Sequence, residues 1–407
     1  MLVQRLLRDV TMRLAALVAV AGCAAAPQST GVPYLDDRDQ RRSELVATLV
    51  DPANGYSQLR LAEYALASGG WDALAEWNPP VEPLAADGTP TGPSAALDLD
   101  IDPTDTDALR ALGEQAFFQY PVQRVPAATA TSDGVWSDPD RGLGGLVAIS
   151  STGALEGSCA TCHASTRAGS LVPGLGNERF DLGRLMVNAG EVPPSDVALH
   201  LAWGPGRVDV TTTAGSEPVR IPDLRAVQLL TYLQADADVA QIDLEALAIR
   251  LETLIITSSN EAIRPPRIIA LALATYVWSL ADQFPPATDT SSNGAALFAA
   301  NCAGCHAPPA FTGEPVALAD VGTDPTIGVS AVRGTGAYRV PSLRGVGLRA
   351  LLLHDGSLPS LDAMFDPARL AAGFTGGVRP GAVPGHMFGL DLDAADRADL
   401  IAFIQAL

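Results

Sequence analysis

Cys159-Ala160-Thr161-Cys162-His163 and Cys302-Ala303-Gly304-Cys305-His306 decide how the chain is read. Two thiols at this spacing, followed at once by an imidazole, form the attachment pattern of c-type haem. The thiols reach the two vinyl groups of one porphyrin, and the adjacent His lies under the iron and binds it through one ring nitrogen. A zinc site and a redox dithiol use similar spacings. Two copies, each closed by His, in a chain whose one further cysteine is Cys23, select haem over both. The expected cofactors are two covalently bound haem c groups. Cys159, Cys162, Cys302 and Cys305 anchor them, and His163 and His306 sit on the metals.

A short segment recurs after each motif. Val219-Arg220-Ile221-Pro222-Asp223-Leu224-Arg225 matches Tyr338-Arg339-Val340-Pro341-Ser342-Leu343-Arg344. His163 and Pro222 are 59 residues apart, His306 and Pro341 35, so the halves share a plan with different loop lengths. Guanidinium forks suit carboxylates, which points Arg220, Arg225, Arg339 and Arg344 at haem propionates. Ion pairing at helix ends is the alternative. The face of each iron opposite the fixed His decides the chemistry: filled, it carries electrons; open, it activates a ligand. The remaining imidazoles are His200, His354 and His386, and the thioethers beyond the leader are Met186, Met364 and Met387.

The formal net charge is −20, and no lysine occurs. An acidic chain without a basic stripe excludes nucleic-acid binding, and it steers basic partner proteins toward its surface. With 47% hydrophobic and 18% charged residues there is material for sizeable cores. Arg5, Arg8 and Arg13 before the apolar run Leu14 to Val20 read as an export signal too short to span a membrane. Val20-Ala21-Gly22-Cys23 resembles a bacterial lipobox, which predicts a periplasmic or cell-envelope protein touching the membrane only through a lipid on Cys23. Cleavage after Ala24-Ala25-Ala26, or a start at Met12, are the alternatives.

The expected domains are a leader over 1–23, a helical segment and Pro/Gly/Asp-rich linker over 24–104, a first cytochrome c domain over 105–284 and a second over 285–407. Helical periodicity is expected near 41–50, 56–67, 105–120, 243–257, 266–280, 294–302 and from 393 to the end. Strand signals are few, so the expected fold class is mainly α.

A family resemblance follows from three segments. Tyr338 to Val346, then His354-Asp355-Gly356-Ser357-Leu358-Pro359-Ser360-Leu361, resembles the C-terminal half of bacterial dihaem cytochrome c peroxidases and MauG-type enzymes. Leu112 to Phe118 is similar to that family's entry helix. Pro384-Gly385-His386-Met387-Phe388-Gly389 looks like a motif of dihaem relatives of rubber oxygenase. The resemblance covers about 105–407. It implies a peroxidase-type oxidoreductase in which the His306 haem stores or relays electrons and the His163 haem meets peroxide or oxygen. The electron donor would be a small cytochrome, a cupredoxin or an oxidised partner protein. Calcium between the halves is not decided by the residues.

By position, the sixth ligand of the His306 haem falls between Met364 and Met387. Where the peroxidases place a Met this chain has Ala368, so Met364 matches poorly; His386 matches the relatives' motif better, and Met387 is a third candidate. His354 reads as a residue orienting the pocket. The first half lacks the family's distal His. His200 would close the His163 iron or act beside it, Trp203 fits the residue between the haems, and Gln234 or Asp236 would serve a distal acid–base role. The rival function is a non-enzymatic dihaem electron-transfer cytochrome with both irons six-coordinate, His200 and His386 being the distal ligands. An oxygenase acting on a hydrophobic substrate is a weaker third.

Overall fold

A computed structural model describes residues 29–64, 70–209, 218–259, 262–284 and 292–407. The leader with Cys23, and the Pro285-Pro286 stretch where the domain boundary is expected, lie outside the described residues. Seven helices carry the cores: α1 (Arg38–Ala47), α2 (Gly55–Glu63), α3 (Thr106–Gln119), α4 (Leu244–Ser259), α5 (Arg267–Ser279), α6 (Asn293–Asn301) and α7 (Ala394–Gln405). Each sits within a few residues of its sequence expectation.

Their starts are chemically marked. Asp105 accepts from the amides of Asp107 and Ala108 at the head of α3, Asn54 from Ser57 at α2, Ser292 from Ala295 at α6, and Asp393 from Ala395 and Asp396 at α7. Each side chain satisfies a backbone N–H that the helix itself leaves open.

The first core packs α3, α4 and α5 through Leu112, Phe117, Leu247, Ile255, Ile269 and Leu273. Gly113 lets α3 and α5 touch, because a Cβ there would lie 1.9 Å from the Ala272 carbonyl oxygen. The second core packs α6 on α7, with Phe298 against Phe403 (ring centroids 5.2 Å) and Leu400 and Ile404 fully enclosed.

The N-terminal segment is fastened to both halves. Glu252 of α4, wholly buried, accepts from the hydroxyls of Tyr34 (2.9 Å) and Tyr64 (2.8 Å). Asp72 pairs with Arg38, Arg41 and Arg267. From the head of α2, the amides of Gly55 and Tyr56 reach the carbonyls of Ala331 and Val332 in the second half. The stretch read as a linker contributes Val81–Pro83, which pairs with Leu146–Ile149 in a four-stranded antiparallel sheet.

The expectation of a mainly helical fold does not hold. Between the helices the described chain runs through short two- to five-residue strands and loops. These segments are too short and too rich in Gly and Pro to propagate a helix. No helix among the described residues is long and apolar enough to cross a membrane.

Candidate functional site

Cys159–His163 forms one helical turn after the sheet, and Cys302–His306 continues from the end of α6. Burial pushes both first-motif thiols up to about 12 and Cys302 up to about 11, so they are neutral rather than thiolate. No group of three or more His, Cys, Asp or Glu among the described residues is arranged to hold a metal ion. Neutral thiols are the form that adds to a porphyrin vinyl group to give a thioether.

The imidazoles are oriented alike. His163 Nδ1 lies 3.0 Å from the Pro222 carbonyl oxygen, and His306 Nδ1 lies 3.1 Å from that of Phe311. A proton held at Nδ1 leaves Nε2 as the free ligand atom. The Pro341 carbonyl also supports the protonated His306 ring, so the repeated proline serves the same imidazole position in both halves.

The second motif opens on a cavity of about 480 Å³, within the range of cofactor sites. Cys302, Cys305, His306 and His386 line it, with Leu352 and Phe365 among its apolar walls. The His306 and His386 ring centroids are 6.5 Å apart. Two metal–nitrogen bonds of about 2 Å laid end to end, plus half a ring on each side, span roughly 6–7 Å. The donors and the cavity therefore fit an iron porphyrin between the two rings.

His386 is held there by backbone, not by packing alone. Its φ is +45°, its N–H donates to the Val321 carbonyl at 2.6 Å, and Gly385 before it has φ +80°. Wholly buried Arg369 gathers the loop, donating to the carbonyls of Met364 (2.8 Å), Val383 (2.5 Å), Gly385 (2.7 Å) and His386 (2.8 Å). Met364 is packed in the second core at the cavity wall, whereas Met387 is 52% exposed and lies outside that wall.

In the first half, the His200 ring lies against buried Trp203, with centroids 4.6 Å apart, and its Nδ1 is 2.9 Å from the Asp196 carbonyl oxygen. Arg207, donating to the Trp203 carbonyl, continues to the carbonyls of Asp355 and Gly356 in the second half. Gln234 stands on the cavity wall in a tight turn at φ +67°. Asp236 is buried two residues on, and its carboxyl is pushed up to about 8 by burial and then by Asp238. Asp238 pairs with Arg333 at 2.5 Å.

The repeat is crossed between halves. Arg220 donates through its backbone N–H to His354 (2.9 Å) and through Nε to the Leu353 carbonyl (3.4 Å). Arg339 does the same to Ala235 (2.9 Å) and Gln234 (2.8 Å). Gln234 and Leu353 share φ +67°. Arg225 and Arg344 each lie 5.4 Å from the Phe284 ring, which sits between the two copies.

The four repeat arginines divide. Arg220 and Arg339 line the cavity and have no carboxylate partner among the described residues; burial and neighbouring positive charge push both down to about 10. Arg225 is taken by Asp223 at 2.7 Å and Arg344 does not line the cavity. Arg349, absent from the sequence reading, lines the cavity and shares Asp223 at 3.0 Å. His354, also on the wall, stacks on Tyr338 at 4.3 Å. Arg369, Arg349 and Phe284 carry no local sequence signal; their roles depend on long-range contacts.

The cytochrome c family model matches residues 291–407, the part that contains the second motif. Over 280 residues, 61% of this chain and 72% of the relative, the sequence is 28% identical to the methylamine utilization protein MauG of Methylorubrum extorquens. No solved structure matches the chain. A cytochrome c domain with its thiols and imidazole in place, together with this relative, supports a c-type cytochrome with covalently bound haem c, similar to MauG-like cytochromes.

Proposed function

We propose that the chain is an exported oxidoreductase of the peroxidase kind, with one haem on Cys159, Cys162 and His163 and a second on Cys302, Cys305 and His306. One observation carries the division of labour: His386 faces His306 at ligand distance, while His200 lays its ring on Trp203. This supports a reading in which His306 and His386 would together hold the second haem iron, while the first would keep an open face. When bound, the haems supply one-electron storage and, at an open face, a site for peroxide.

The protein's own contribution is positional. Pro222 and Phe311 hold the protons of His163 and His306 at Nδ1. Arg369 keeps His386 turned into the cavity. Buried Asp236, neutral near pH 7, holds a proton on the turn next to Gln234, beside the cavity of the second motif rather than against His163. Trp203 and Arg207 join the first half to the second and support a role in coupling the haems. Electrons would come from a small basic redox protein drawn to the acidic surface, in the periplasm or at the cell envelope, with a lipid on Cys23 as the membrane attachment.

The electron-carrier reading has a foothold in His200, whose Nδ1 is bonded to Asp196 and whose Nε2 is therefore available as a ligand. Spectra of the oxidised protein, matured with haem, separate the two. Two haems per chain, one of them high-spin and responsive to peroxide, support the enzyme. Two low-spin haems inert to peroxide support the carrier, and a colourless protein defeats both.

A further inference from the structure

Three arginines line the cavity with no carboxylate partner among the described residues: Arg220, Arg339 and Arg250. The first two belong to the repeat and spend Nε on carbonyls across the interface. Arg250 belongs to neither copy. It projects from α4 of the first half, is 8% exposed, and has no ion pair, while its Nη1 lacks any hydrogen-bond acceptor. Its neighbour is the ring of Tyr56, 5.8 Å from the guanidinium carbon, delivered by α2 of the N-terminal segment. Arg60 (5.7 Å) and Arg333 (3.9 Å) crowd the same ring. Asp238 answers Arg333, and nothing comparable answers Arg250.

A guanidinium withdrawn from water without an anion costs several kcal/mol, and two like charges nearby raise that cost. Arg250 is one of the residues that line the cavity. The anions that belong there are the two carboxylates of the porphyrin.

We propose that Arg250 binds a propionate of the haem held by Cys302, Cys305 and His306, so that the first half and the N-terminal segment set that haem's reduction potential. The inference rests on the reading that the second motif carries a haem. A fixed cation favours the ferrous state, which holds one more negative charge. Removing it therefore lowers the potential. Tyr56 acts through Arg250 as the surface that aims it.

Spectroelectrochemical titration of the full-length, haem-loaded protein tests this. Arg250→Gln should shift the reduction equilibrium of the low-spin haem about tenfold toward the oxidised form, ~59 mV for one electron. Arg250→Lys, which keeps the charge, should recover most of it. A wild-type potential in Arg250→Gln, or equal drops in both variants, overturns the proposal. If Arg250→Gln does not fold, resonance Raman of Arg250→Lys substitutes. Its low-spin haem propionate mode should move as one donor replaces a fork, and an unmoved mode overturns the proposal. Haem stoichiometry is read in the same samples, and fewer than two haems per chain would instead overturn the underlying dihaem reading.

Discussion

His386 sits in a backbone region that costs a non-glycine residue about 1–3 kcal/mol, and it stays there because Arg369 and Val321 fix the loop on both sides. Strain held by so much surrounding structure implies that the ring's direction matters more than the loop's comfort. Replacing His386 with Ala should convert the second haem from low-spin to high-spin in the oxidised spectrum while both haems stay attached in denaturing gels. An unchanged spectrum would remove His386 from the iron. Arg369→Gln should give a mixed-spin spectrum, since the ring keeps its chemistry and loses its aim.

Asp236 makes a separate prediction, on stability. Its folded carboxyl titrates near 8 against an ordinary value of 3.8, so the folded state holds the proton more tightly than the unfolded one. The ionisation penalty is therefore absent below about pH 4, and folding stability falls as pH rises from there toward 8. Asp236→Asn should flatten that slope and raise the Tm at pH 8 more than at pH 4.5. Equal Tm changes at the two pH values would refute the assignment.

Among elements, the helices were legible because cap and period coincide: Asp105, Ser292 and Asp393 each precede an apolar 3.6-residue pattern. The loops between were not. Arg220 finds Leu353 and His354, and Arg339 finds Gln234 and Ala235, over a hundred residues away, through a few hydrogen bonds that leave no periodic trace. Composition likewise made 79–107 read as a linker, although Val81–Pro83 enters a sheet at its edge, where proline is tolerated. The two Cys-x-x-Cys-His motifs were legible since their spacing is local; the loop that points His386 inward was not, because Arg369 acts through tertiary contacts alone. The α3–α5 contact gives the element-scale test. Gly113→Ala places a methyl group where the Ala272 carbonyl stands, and overpacking of this kind costs about 1–3 kcal/mol. Denaturant midpoints should fall accordingly with haem spectra unchanged, and an unaffected midpoint would mean that the two helices separate easily.

At the scale of the molecule, two halves related by a repeated segment meet through crossed arginines around Phe284, and a third segment from the N-terminus ties into both. The net charge of −20 says which partners arrive fastest. Long-range attraction raises encounter rates for a basic protein and is screened beyond a Debye length of ~10 Å at 0.1 M salt. Reduction by a small basic cytochrome used as a probe should therefore slow by about tenfold or more between low and 0.3 M ionic strength. An acidic cupredoxin should show the opposite trend, its rate rising as repulsion is screened. Salt-independent rates with both probes would mean that the face admitting electrons is a neutral patch, and that the acidity of the chain serves solubility alone.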